Sequence, residues 1–285
     1  MIALVTLVGV TAIWGYTFLS VQDAIAQMPV MDFLAWRFLV ASVVMIAFRP
    51  TCLRNVTRLE LLRGIGLGTI LGLAYIAQTY GLRYTSVATS AFITGMFVVL
   101  TPVMSWILLR RKTNRNTWIV VAMATVGLAL LSLNGWSVGI GELLTLGCAV
   151  FFAIHIVGLG EWSSQYEPYA FTLLQIGTVA VISLIAATPG GIAVPPNLGV
   201  WGAVGITGVL ATALAFFVET WALSLVSATR AAVVMTMEPV FAGLFAVVIG
   251  GNQLTPRTIA GAACVLAAMS IINLKSGRSD TRPKT

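Results

Sequence analysis

Apolar runs of roughly 20 residues follow one another along almost the whole chain, separated by short segments where proline, glycine and charged residues collect. About 20 apolar residues in a helix cross about 30 Å of hydrocarbon, and backbone in lipid must satisfy its own hydrogen bonds. The pattern predicts ten transmembrane helices, over 2–21, 30–48, 61–81, 87–109, 116–133, 141–159, 169–187, 199–221, 229–249 and 257–274. Breakers mark the connections at Met28-Pro29, Glu167-Pro168, Thr188 to Gly191 and Thr255-Pro256. Ala24-Ile25-Ala26 resembles a signal-peptidase site, but the run before it has no basic leader and is too long for a signal core. It is therefore read as a retained helix.

The pattern also repeats. A shift of 141 residues lays Ala74, Thr79, Leu82 and Ser86 on Ala215, Thr220, Leu223 and Ser227, with Tyr75 on Phe216 and Gln78 on Glu219. That register runs without a gap from Ala74 to Leu133, at about one identity in six, and a shift of 138 relates the first two spans to spans six and seven. Each repeat holds five spans, and an odd number forces the second copy to enter the membrane upside down. The expected fold is all-α integral membrane, ten transmembrane helices as two inverted five-helix repeats. The units are residues 1–134, residues 138–274 and a basic tail over 275–285. Inverted repeats of this kind mark secondary transporters with a substrate site between the halves.

Composition sharpens this reading. With 59% hydrophobic and 9% charged residues, the chain lacks the charged quarter of a soluble domain. The net charge of +7 would suggest nucleic acid in a soluble protein. Here the basic residues fall in loops, on Arg49, Arg54, Arg58 and Arg63, then Arg110, Arg111, Lys112 and Arg115, then the tail, with Arg230 on the same side. The other side has Arg37, Arg83 and Arg257, so the positive-inside rule puts both termini in the cytoplasm. Cys52, Cys148 and Cys264 lie far apart and read as packing residues, so no metal and no cofactor are expected.

Ionisable residues inside apolar runs are costly and suggest function. Glu238 sits near the middle of span nine and precedes Pro239, which lacks the N–H that would bond one turn back. Two readings stand: a neutral carboxyl packed around a proline kink, or a cavity group that binds an ammonium or exchanges a proton. Glu219 lies near one end of span eight, where it is expected to reach the interface, with its partner Gln78 at the opposite mouth of a passage. His155, the single histidine, is a packing group, a substrate contact or a proton carrier; Glu238 and His155 are the candidate proton-handling pair. Two placements of Arg37 stand: outward along its stem to the interface, or inward, paired with a buried carboxylate such as Glu238. Trp14, Tyr75 and Phe97 supply aromatic surface at membrane depth. Gly64, Gly68 and Gly72 form a small-residue strip, and Gly202, Gly205 and Gly208 a looser one.

Trp14-Gly15, Arg37-Phe38, the run from Tyr84-Thr85-Ser86 into Ala91-Phe92-Ile93-Thr94-Gly95, and Met237-Glu238-Pro239-Val240-Phe241 stand in order within ten spans. Together they resemble the EamA branch of the drug/metabolite transporter superfamily. The sequence departs from it at Gly251-Asn252, where Gly-Glu is common. The resemblance implies an exporter of amino acids and other small metabolites in the bacterial inner membrane, with a cavity walled mainly by spans 1, 3, 4, 6, 8 and 9. Partners are then a small-molecule substrate and membrane lipid, with no nucleic acid. Proton coupling and a monomer or homodimer are left open. The alternatives are an antiporter of phosphorylated sugars or nucleotides, which needs several buried cations, and multidrug efflux. A membrane scaffold has no need of inverted repeats, and a membrane enzyme lacks any catalytic motif here.

Overall fold

The computed structural model describes residues 2–111, 114–132, 139–248 and 255–276, and every long element among them is helical. Thirteen helices build the ten spans. The first repeat contains α1 (Ile2–Ile25), α2 (Val30–Phe48), α3 (Arg58–Leu82), the pair α4 (Val87–Gly95) and α5 (Phe97–Leu109), and α6 (Arg115–Ser132). The second contains α7 (Ile140–Trp162), α8 (Pro168–Ala187), the pair α9 (Leu198–Gly208) and α10 (Ala215–Leu223), the pair α11 (Ala228–Met235) and α12 (Met237–Val248), and α13 (Pro256–Ser276). Eight of the ten spans are long and apolar enough to cross a membrane on the described residues alone. Side chains cap several helix starts: Thr57 accepts from Glu60 N, Ser86 from Thr89 N, and Asn197 from Val200 N. Glu167 accepts from Ala170 N, with Pro168 at the first helical position. Gly251-Asn252, Lys112 and the tail beyond 276 lie outside the described residues.

The two halves interlock. The third span of the first half, α3, packs on α7 and α8, the first two spans of the second. The third span of the second half, α9 with α10, packs reciprocally on α1 and α2. The fifth spans, α6 and α13, pack against each other, so closely at Gly127 that a Cβ there would lie 2.8 Å from Gly261 O.

Glycine governs the other close approaches too. A Cβ on Gly64 would meet Leu174 at 2.7 Å, and one on Gly68 would fall 2.6 Å from Gln175 O, so α3 and α8 touch nearly backbone to backbone. Gly72 has ordinary room. The looser strip is corrected: Gly202 and Gly205 meet nothing within 4 Å, and only Gly208 packs, against the Arg37 carbonyl.

Three spans that the hydrophobic pattern reads as continuous are not regular. Span four breaks at Met96 and span nine at Thr236, each through a tight turn in which Met96 N bonds Ile93 O and Thr236 N bonds Val233 O. Span eight carries a π-helical stretch, Val209–Leu214, between α9 and α10. Breaks of this kind leave no trace in hydropathy, which registers burial rather than hydrogen-bond spacing.

Candidate functional site

The π-helical stretch sets the site. Ala215 N bonds back to Leu210 O, five residues away, so it does not take the Ala211 carbonyl that regular α-helix would assign to it. That carbonyl turns outward and accepts the Trp14 indole N–H at 2.8 Å. Arg37 reaches the same place. Its Nε donates to Thr212 Oγ1 at 2.8 Å, and its Nη2 to the Tyr75 hydroxyl at 3.3 Å and, at the limit, to Ala211 O at 3.5 Å. Arg37 is 4% exposed and lies 4.7 Å from the Tyr75 ring centroid. Of its two placements the inward one holds, but with Thr212, Tyr75 and Ala211 as partners in place of a carboxylate.

Around this anchor lies a cavity. Trp14, Thr17 and Val21 of α1, Tyr75, Gln78 and Leu82 of α3, Phe152 and Ile156 of α7, and Phe216 of α10 line it. Trp14 and Tyr75 both meet the Phe216 ring, at 5.7 and 5.9 Å, and Tyr75 meets Phe152 at 5.6 Å, so the walls are a continuous aromatic surface. Val21 and Leu82 extend the cavity toward the C-terminal ends of α1 and α3. Leu7, Leu67, Leu223 and Val233 pack with the lining residues Phe97, Ile156 and Met235 in one buried apolar cluster. The water-accessible volume is about 60 Å³, room for a few waters and well below the roughly 300–1,000 Å³ of small-molecule pockets. The walls must part to admit a metabolite.

Both helix breaks open onto this space. Thr94 and Phe97 flank the break at Met96, Met235 and Glu238 flank the break at Thr236, and all four line the cavity. Pro239 follows Glu238 and has no N–H to give the Met235 carbonyl. Gly15 permits the approach of α1: a Cβ there would lie 2.8 Å from both Glu238 O and Ala242 N. The pair Trp14-Gly15 therefore does two jobs, one presenting an indole and the other letting α12 come alongside.

Two carboxyls face the same cavity. Glu238 is partly exposed to it. Glu219 is 2% exposed, with Oε2 unpartnered. Among the described residues the two ion pairs, Arg49–Glu167 and Arg111–Glu161, are both near the surface, and neither cavity glutamate joins one. Glu219 thus does not reach the interface as expected. Nor do Gln78 and Glu219 mark two mouths; they line one chamber, with Gln78 donating to Thr94 Oγ1 at 3.3 Å.

A model of the EamA-like transporter family matches residues 1–133 and again 139–274. The chain belongs to this family. The EamA-like chain is 31% identical to an uncharacterized transporter of Archaeoglobus fulgidus over 267 residues, 93% of this chain and 84% of that one. It is 23% identical to the uncharacterized transporter YyaM of Bacillus subtilis, over 86% and 85% of the two chains. A solved crystal structure superposes with a TM-score of 0.78 over 98% of both chains at 18% identity, a likeness of fold alone. The EamA-like protein is thus a multi-pass membrane transporter in two halves and not an enzyme, and its substrate is a small molecule.

Six of the seven residues singled out from sequence line the transporter's cavity: Trp14, Tyr75, Gln78, Phe97, Glu219 and Glu238. His155 does not. It is fully buried, with Nε2 2.7 Å from Gln175 Oε1. The Gln175 amide nitrogen donates to Phe171 O, which leaves its oxygen to accept from His155. His155 packs against Phe216, with ring centroids 6.2 Å apart. Arg37 lines the cavity as well although it was not among those seven; the 138-residue shift lays it on Gln175, another polar residue inside a span, and that was the available signal.

Proposed function

We propose that this transporter exports small amphipathic or zwitterionic metabolites, amino acids foremost, by alternating access across the bacterial inner membrane, with both termini cytoplasmic. The observation that carries the reading is the meeting of Arg37, Glu219 and Glu238 in one aromatic-walled cavity. A substrate carboxylate finds a buried guanidinium whose Nη1 has no protein partner among the described residues, its ammonium finds two carboxyls, and its apolar body finds the rings of Trp14, Tyr75 and Phe216. Helices interrupted at corresponding places in the two halves support the same reading. Met96 and Thr236 stand 140 residues apart, one residue from the repeat register.

The excess of carboxyls over arginines favours a second reading, efflux of amine-bearing drugs. It speaks against phosphorylated sugars or nucleotides, which two glutamates would repel. Proton coupling would run through Glu238, which lines the cavity, while His155 is fully buried and does not line it.

Purified protein in liposomes, offered a mixed metabolite pool, tests the proposal. Zwitterions should exchange, and Glu238→Gln should lower flux at least tenfold while the protein inserts and melts as before; losing a charge-assisted hydrogen bond weakens binding roughly ten- to hundredfold. Wild-type flux in that variant removes Glu238 from the mechanism. Exchange of organic cations with no zwitterion flux would favour drug efflux, and flux unaffected by an imposed pH gradient would exclude proton coupling. A reporter fused after Thr285 that is active only in the periplasm should stay silent.

A further inference from the structure

A second pocket, of about 470 Å³, lies away from the transport cavity at the turn between α2 and α3. Its wall includes Arg49, Cys52, Arg54, Asn55, Glu60 and Glu167. The charges are not all paired. Arg49 pairs with Glu167 at 3.0 Å, and the other oxygen of Glu167 caps Ala170 N at 2.8 Å, so these two are matched. Arg54 and Glu60 form no ion pair among the described residues. Arg54 is exposed, whereas Glu60 is only 6% exposed and its Oε1 has no hydrogen-bond partner. Thr57 and Glu60 have capping-box spacing, which uses at most one carboxylate oxygen. A covered acceptor and a free guanidinium on one wall are complementary to a ligand that carries both charges.

The surroundings indicate where that ligand comes from. Phe48, Leu53, Leu59 and Leu62 are 83%, 43%, 53% and 59% exposed and bracket the pocket along the chain. In a membrane protein such side chains meet acyl chains. Tyr169 lies beside Arg49, 5.8 Å from guanidinium to ring, and donates to Met45 O at 2.7 Å, with a polar tip and an apolar body as at a headgroup boundary.

We propose that this pocket binds the headgroup of a phospholipid bearing a primary amine, its phosphate on Arg54 and its ammonium on Glu60. The ammonium donates hydrogen bonds to Oε1, which a trimethylammonium cannot do and a glycerol headgroup does only without charge. The site is independent of the substrate cavity, so it stands or falls separately from the transport reading.

Native mass spectrometry of the full chain, equilibrated with phosphatidylethanolamine, phosphatidylcholine or phosphatidylglycerol of matched acyl chains, tests the proposal. The ethanolamine lipid should be retained about tenfold better than either of the others. Arg54→Ala and Glu60→Gln should each abolish that preference. Arg54 sits in an exposed turn, so its variant keeps the test valid if Glu60→Gln weakens the start of α3. Equal retention of the three lipids, preference for the glycerol lipid, or an unchanged preference in both variants overturns the proposal. So does soluble O-phosphoethanolamine competing as well as the lipid, which would assign the pocket to a free metabolite.

Discussion

Arg37 shows how a buried cation in this protein combines a structural role with the binding role proposed for it. Its Nε and Nη2 are committed to Thr212, Tyr75 and Ala211, and its ring neighbour Tyr75 also meets Phe38, Phe152 and Phe216. Arg37→Ala strands the Thr212 and Tyr75 hydroxyls, while Ala211 O keeps the Trp14 indole, at roughly 1–3 kcal/mol per unsatisfied buried group. A clearly lower melting temperature in detergent is expected. Arg37→Lys should recover only part of that loss, because an ammonium cannot reproduce the planar fork; full recovery would show that charge alone matters. Glu219→Gln should leave the melting temperature unchanged or higher, since Glu219 has no ion-pair partner to lose among the described residues; a large drop would reveal a structural role. The carboxyls were legible because acids are conspicuous in apolar runs. Arg37 was not, because a long stem allows both outward and inward placements and one sequence does not say which face of α2 is buried. His155 was misplaced for a related reason: depth along a helix can be counted from residues, but rotation toward a cavity or a neighbour is set by packing.

At the scale of helices, the contact between α1 and α12 is the most exposed to test. Gly15→Ala puts a methyl 2.8 Å from the backbone of Glu238 and Ala242, so the two helices must separate. Overpacking of this kind costs roughly 1–3 kcal/mol, and it also moves Trp14 relative to Glu238. Lower melting and impaired flux are expected together. Gly9→Ala, on the same helix with nothing within 4 Å, should change neither, and similar behaviour of the two variants would refute the packing argument. The ten spans, their repeat and the packing of Gly64 and Gly68 were readable from periodicity and small-residue spacing. The π-turn and the breaks at Met96 and Thr236 were not, because the residues around them are as apolar as their neighbours. Pro239 pointed toward the second break, while the first break has no such signal at Met96, and Pro102 lies inside α5.

Across the whole molecule, the interlocking of third spans ties each half to the other. α3 finds its main partners in α7 and α8, and α9 with α10 finds its own in α1 and α2. Residues 1–133 made alone should therefore give inserted but loosely packed helices that are readily proteolysed, and the same holds for residues 139–274. Co-expression of the two pieces should restore a protease-resistant complex; resistance of either piece alone would contradict the contact pattern. The same crossing fixes an order of events during synthesis. When α3 leaves the ribosome its glycine-lined face has no partner, and none exists until α8 has entered the membrane some hundred residues later. The first half must wait in the bilayer, unassembled, until the opening helices of the second half complete its structure.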